Sequence, residues 1–190
     1  MAAWPRTPYL IKIAGRKLSV DEVAAIGQQL QRDIGTDPVV DALVALQTDE
    51  TYLFLDRDIG TSPVTGLESA PIRLAESLTI PGKSAGQAAP FHYIVETDVD
   101  PDADEDLNRW YEEEHMPGLA SVEGNVLSRR LVDAAGSPRY YACYDLVDPS
   151  ARQTDAWIAV TKTDWSSRIR PRFFNTKRTV FSRLALPRGN

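Results

Sequence analysis

Residues 91–119 read FHYIVETDVDPDADEDLNRWYEEEHMPGL. The first nine, 91–99, are rich in β-branched and aromatic side chains and predict a strand. An acidic turn leads into a predicted helix over 102–116. Asp102 suits the N-cap, and Glu105, three residues on, completes a capping box. Asp104, Glu105 and Asp106 place negative charge where the helix dipole favours it. Pro117 and Gly118 predict a stop directly after His115. At about 100° per residue, Ala103, Leu107, Trp110 and Tyr111 share one face. Glu114 falls near the middle of that face and His115 at its edge. Asn108, Arg109, Glu112 and Glu113 point outward.

This places a carboxylate and an imidazole where an apolar helix face meets whatever it covers. A buried carboxylate must be paired or neutralised. A histidine beside it is expected to have a raised pKa and to exchange protons near neutrality. The plainer reading has equal standing. Histidine suits a helix C-terminus by charge alone, and Glu112, Glu113 and Glu114 in a row make a solvated face.

Working outward, the segments 124–133 and 139–147 predict a hairpin around Ala134–Ala135–Gly136–Ser137. A helix is predicted from about Ser150 to Lys162, with Trp157 and Val160 inward. An arginine-rich connection over 164–173 and a strand over 176–185 complete the half. The order strand-helix-strand-strand-helix-strand is a split βαβ, or ferredoxin-like, unit. Upstream, 8–14 predicts a strand. Ser19 with Glu22 caps a helix striped by Val23, Ile26, Leu30 and Ile34, and Asp37–Pro38 ends it. Strands follow over 39–47 and 51–56. The first half thus reads as a reduced copy of the second, lacking its second helix. The expected organisation is a reduced repeat over 1–80, a linker over 81–90 and a full repeat over 91–190. The segment 72–80 is open between helix and strand, and 57–90 is a candidate lid. Sheet against sheet, two such repeats in one α+β chain close a barrel, giving a monomeric pseudo-dimer; a homodimer is the alternative.

The net charge of −6 argues against a nucleic-acid partner. Arg168, Arg170, Arg172, Lys177, Arg178 and Arg183 cluster near the end of the chain, and salt bridges explain them better than phosphates. The lone cysteine, Cys143, excludes a disulfide framework and fits a reducing cytoplasm. The first fifteen residues lack the apolar core of a signal peptide, and no apolar run is long enough to span a membrane. With two histidines in all, no metal triad is expected.

The run L-x-x-W-Y-x-x-x-H-x-P-G-L, Leu107 to Leu119, resembles the ferredoxin-like dimeric α/β-barrel superfamily, and within it the EthD-like proteins. Trp110, Tyr111, His115 and Pro117 carry the likeness. Val122–Glu123–Gly124 leading to Arg129 and Arg130, and the segment from Trp165 to Phe173, extend it. The resemblance implies a cavity between sheet and helices for a small aromatic or carbonyl compound. It also implies a cofactor-independent lyase, decarboxylase, cyclase or isomerase using acid/base proton transfer. The alternatives are a non-catalytic or stress-associated binding barrel and a haem-binding barrel with His115 as axial ligand.

The candidate catalytic residues are therefore His115, Glu114 and Tyr140. The candidate substrate-binding residues are Trp110, Tyr111, Tyr144, Arg129 and Arg130. Tyr140 and Tyr144 share one strand face and Tyr141 takes the other; a phenol lining a cavity can donate to an oxyanion, though core packing is the commoner role. Arg129 and Arg130 point to opposite faces, so one faces the pocket. That one is expected to hold a substrate carboxylate or, slightly more readily, to pair with Glu96 or Glu114. His92, at a strand end, is expected to be exposed.

Overall fold

Ser19 does cap the first helix. Its hydroxyl accepts from the Glu22 amide while the Glu22 carboxylate accepts from the Ser19 amide, so two otherwise unpaired donors are satisfied together. The protein is described here from a computed structural model covering residues 5–60 and 70–186. Strand β1 (Tyr9–Ala14), helix α1 (Val20–Ile34) and strands β2 (Val39–Ala45), β3 (Glu50–Leu55) and β4 (Ile72–Arg73) come first. The chain forms two compact units: one runs up to Ala75 and takes in the chain from Phe181 onward, the other is Glu76–Val180.

In the first unit the strands lie in the order β4-β1-β3-β2, and β1 with β4, β1 with β3 and β2 with β3 all pair antiparallel. This is the ferredoxin-like order. α1 buries Val23 with Ile11, Ile13, Ala42, Leu53 and Leu55, and its Leu30 is fully buried as well. Two details differ from the sequence reading. Ile34 is exposed, because the helix ends there, beyond the sheet-facing stripe. The stop is Gly35 in the left-handed region, φ 80°, where its amide closes on the Gln31 carbonyl; Asp37–Pro38 only follows. Among the described residues the unit has one helix. The connection from β3 to β4 includes 61–69, so that part of the candidate lid lies outside the described residues.

The second unit contains β5 (Ala75–Pro81, from Glu76 on), β6 (Phe91–Val99), α2 (Asp104–Trp110), α3 (Met116–Ala120), β7 (Asn125–Val132), β8 (Tyr140–Leu146), α4 (Asp155–Val160), α5 (Asp164–Ile169) and β9 (Phe173–Arg183, to Val180). Its order is β9-β6-β8-β7-β5, again the ferredoxin-like arrangement with one added edge strand. The ambiguous segment 72–80 is therefore strand. β5 belongs to the second unit through Leu78 and Ile80, which pack on its core. The division of the chain falls before this strand, upstream of 81–90. The stretch read as an arginine-rich connection contains α5, capped by Thr163, whose hydroxyl accepts from the Ser166 amide.

One face of this second sheet carries the larger core. Tyr93, Val95 and Val99 of β6 and Tyr140, Ala142, Tyr144 and Leu146 of β8 meet Leu107, Trp110, Tyr111, Met116 and Leu119 from the helical layer, with Trp157 and Ile169. Fully burying one such side chain is worth about 2 kcal/mol. β6 is an interior strand, between β9 and β8, and every residue from His92 to Val99 on it is buried. His92, expected to be exposed, is accordingly buried on this strand and bonded to Asp145 on the neighbouring β8 at 2.5 Å.

Candidate functional site

The helical layer departs from the regular helix that the sequence predicts. Asp102 does not cap. It lies in a single 3-10 turn, Pro101–Ala103, and its carboxylate binds Arg172, which holds it below the usual carboxylate range. Nor does the helix stop at Pro117. Between α2 and α3, residues Tyr111–His115 form a π-helical turn, and the helical path runs on to Ala120. Proline lacks an amide and its ring crowds the carbonyl four residues back. A wider turn just before Pro117 relieves both.

The π-turn rearranges the chemistry. In an α-helix, residues five apart stand about 140° apart around the axis. Across the wider turn the angle closes, and the His115 ring lies face to face on Trp110, with centroids 4.0 Å apart and planes at 17°. Tyr111 meets the same imidazole edge-on at 5.5 Å. His115 thus takes the inward position expected for Glu114. Glu114 is displaced to the rim, where its carboxylate accepts from the Thr163 hydroxyl at 2.6 Å.

With 5% of its surface exposed, His115 is held neutral. Burial, then the nearby Arg170 cation, lowers its pKa to about 3, against a smaller upward pull from its bond to the Val160 main chain. The expected raised pKa is thereby corrected. The partner is a backbone carbonyl rather than a carboxylate, and the nearby charge is positive. Nδ1 of this ring is buried and has no hydrogen-bond partner.

A group of phenols adjoins it through Tyr111. Tyr93, Tyr111 and Tyr144 act electrostatically on one another and on Arg170. Tyr93 and Tyr144 stack at 5.9 Å, and both meet Trp157 edge-on. Burial raises the Tyr111 phenol to about 12 and that of Tyr144 well above its ordinary value, so both remain protonated donors. Tyr140 is differently placed. Its hydroxyl donates to Asp104 at 2.5 Å on the wall of a surface depression of about 230 Å³ lined also by Asp98, Arg139 and Phe174.

The two adjacent arginines do take opposite faces. Arg129 approaches Glu76 at 3.6 Å. Arg130 is on the helix-covered face, opposite the small Ala142 in register. It does not pair with Glu96 or Glu114 as expected. Its Nη1 donates to Asn108 Oδ1 at 2.6 Å, and its guanidinium lies over the rings of Tyr140 and Tyr111 at 4.4 and 4.6 Å. Asn108, read as outward-facing, is half-buried for this reason.

Sequence reasoning overlooked Tyr93, Arg170 and Asn108. Strand alternation places Tyr93 in phase with Val95, a usable signal. Arg170 lies in a 3-10 turn with no periodicity to reveal its inward side. Of the terminal cations, Arg168, Arg172 and Arg183 do form ion pairs, with Asp106, Asp100 and Asp102, and Asp41 respectively. Among the described residues, no group of three or more histidine, cysteine or acidic side chains is gathered to hold a metal ion. No helix of the described residues is long and apolar enough to cross a membrane.

No protein-family model matches the chain, and no curated protein does. Solved structures do. A major regulator of staphylococcal pathogenesis is similar at 14% identity over 93% of this chain and 98% of its own, with a TM-score of 0.59. An anthrone oxidase-like protein is similar at 12% identity over 94% and 91%, with a TM-score of 0.59. A chlorite dismutase from Candidatus Nitrospira defluvii is similar at 8% identity over 93% and 90%, with a TM-score of 0.56. These likenesses bear on the fold alone: the chain is an α+β protein with the ferredoxin-like strand order in each of its two units.

Proposed function

We propose that this protein binds a small aromatic or carbonyl compound in its second unit and moves a proton on it without a cofactor, with His115 as the base. One observation carries the reading: a neutral, buried imidazole presents an unpartnered Nδ1 among aromatic rings and protonated phenols. A base of this kind takes a proton from carbon next to a carbonyl. The C–H electron pair becomes the C=C bond of an enolate as the carbonyl π pair moves to oxygen, and the imidazolium returns the proton at another position as the carbonyl re-forms. Tyr111, still protonated, is the donor suited to the oxyanion. Tyr144 and Trp110 wall the compound, Arg130 bears on its charge, Glu114 steadies the helix rim through Thr163, and Tyr140 serves binding from the depression side.

Two of the similar structures have names that denote small-molecule chemistry, oxidase-like and dismutase, which supports an enzyme. At such identities they do not choose the reaction, which is proposed here from the residues. The net charge of −6 supports a small molecule over nucleic acid.

One observation favours a non-catalytic binding barrel instead: the face of His115 is closed by Trp110. Solvent-deuterium exchange into a panel of aromatic ketones, followed by NMR, separates the two. Wild type is expected to exchange the acidic C–H, with a rate flat from about pH 5 to 8 because the free base titrates near 3. His115→Phe is expected to lose roughly a hundredfold or more. Equal exchange by the variant would refute the base role.

A further inference from the structure

We infer that Arg130 is the receptor for a small organic carboxylate, held side-on by its Nε and Nη2. Arg130 is 2% exposed, and neither of these buried nitrogens has a hydrogen-bond partner. They form one edge of the planar fork, with parallel N–H bonds spaced to match the two oxygens of a carboxylate. Elsewhere this chain uses the same edge for that purpose. Arg57 holds Asp56 through Nε at 2.8 Å and Nη2 at 3.2 Å. Arg109 holds Glu113 at 3.1 and 3.4 Å, and Arg168 holds Asp106 at 3.4 and 3.2 Å. Those three pairs are at the surface. The one arginine of this set with the buried fork has it unmatched.

Nothing bonded to Arg130 neutralises it. Its remaining bond goes to an uncharged amide, Asn108. The phenols that cover its face, Tyr111 and Tyr140, are pushed toward the protonated state, so neither supplies an anion. Asp104 is engaged by the Tyr140 hydroxyl. A buried cation without a bonded anion is costly, and an incoming carboxylate recovers that cost. The rings occupy the face of the guanidinium; the buried edge is the part left without a hydrogen-bond partner, and that edge matches a planar anion. The aromatic neighbours, Tyr111 and Tyr140, favour an aryl group behind it. Tyr140 lines the surface depression and also covers Arg130, so it is the side chain whose movement connects the two.

The inference rests on the proposed function only in placing the ligand in the same aromatic cluster. The probe is benzoate, with benzamide and inorganic phosphate as comparisons. In ¹⁵N-labelled protein, the Arg130 Nε–H signal is assigned by its contacts to the Tyr111 and Tyr140 rings. Benzoate is expected to shift it saturably, and neither benzamide nor phosphate is expected to do so. Arg130→Lys keeps the charge but loses the fork, and is expected to bind benzoate at least about tenfold more weakly by calorimetry. An unmoved Nε–H signal, an equal shift by benzamide, or equal displacement by phosphate would overturn the assignment. The wild-type signal decides even where the lysine variant does not fold. Benzoate binding retained in His115→Phe upholds the carboxylate site, whatever that variant does to proton exchange.

Discussion

Protonating His115 would place a cation under Trp110, out of water and near Arg170, which is why its pKa falls to about 3. The consequence for stability has a definite sign. The unfolded chain takes up a proton at this residue below its ordinary value of 6.5, whereas the folded chain refuses it until about 3. The stability contributed is therefore complete above 6.5 and is lost as the pH falls through that window. At about 1.4 kcal/mol per pH unit, the loss between pH 7 and pH 4 is roughly 3 kcal/mol. Urea unfolding of wild type and His115→Phe, which keeps an aromatic ring on Trp110, is expected to show their difference shrinking by that order over the same range. A constant difference would mean that His115 titrates normally. At this scale the sequence revealed the companions but not the state. The spacing of Trp110, Tyr111 and His115 shows that they gather. Whether the imidazole meets a carboxylate or an arginine depends on Arg170, from a turn fifty-five residues on, and no local pattern carries that information.

The element that sets this geometry is the helical layer between β6 and β7, and its irregularity decides the site. Trp110 and His115 are five apart and stack, which a straight α-helix forbids. The sequence reading assumed a constant period, so it turned Glu114 inward and ended the helix at Pro117. A π-turn is one residue more than the α-helical path needs, and removing that residue should restore a regular helix without moving its ends. Deleting Glu113 is therefore expected to be tolerated. Trp110 and the histidine would then stand four apart, about 40° around the axis, and remain in contact. The deletion loses only the half-exposed Arg109–Glu113 pair, a contribution of a few tenths of a kcal/mol. Deleting Ala25 from the regular helix α1 rotates the stripe containing Leu30 away from its sheet and is expected to cost several times more. Thermal unfolding of the two deletions checks this. A Glu113 deletion as damaging as the Ala25 deletion would show that the π-turn is not the surplus residue.

At the scale of the molecule, element order alone was enough to read two ferredoxin-like units, because hydrophobic periodicity, capping boxes and the hairpin turn survive without any tertiary information. The division of the chain was not readable. Glycine and proline cluster in 81–90, but β5, with its alternating burial, ties the residues before that cluster to the second unit. Nor did the sequence reveal that the last strand serves both units. β9 runs through the second unit as far as Val180, and its next residue, Phe181, is fully buried in the first, where it meets Tyr52 at 4.7 Å and pairs with Ala45. A continuous strand couples what it joins: losing the fixed end of β9 frees the backbone on which β6 pairs. Phe181→Ala removes a large core side chain, which typically costs about 3–5 kcal/mol. The described tryptophans, Trp110, Trp157 and Trp165, all lie in the second unit. In a Trp4→Phe background their fluorescence therefore reports on that unit alone. The Phe181→Ala substitution is expected to lower the denaturation midpoint seen by this remote signal together with the midpoint seen by far-ultraviolet circular dichroism. If the tryptophan transition stays where it was while the dichroism splits in two, the units unfold independently and β9 transmits nothing between them.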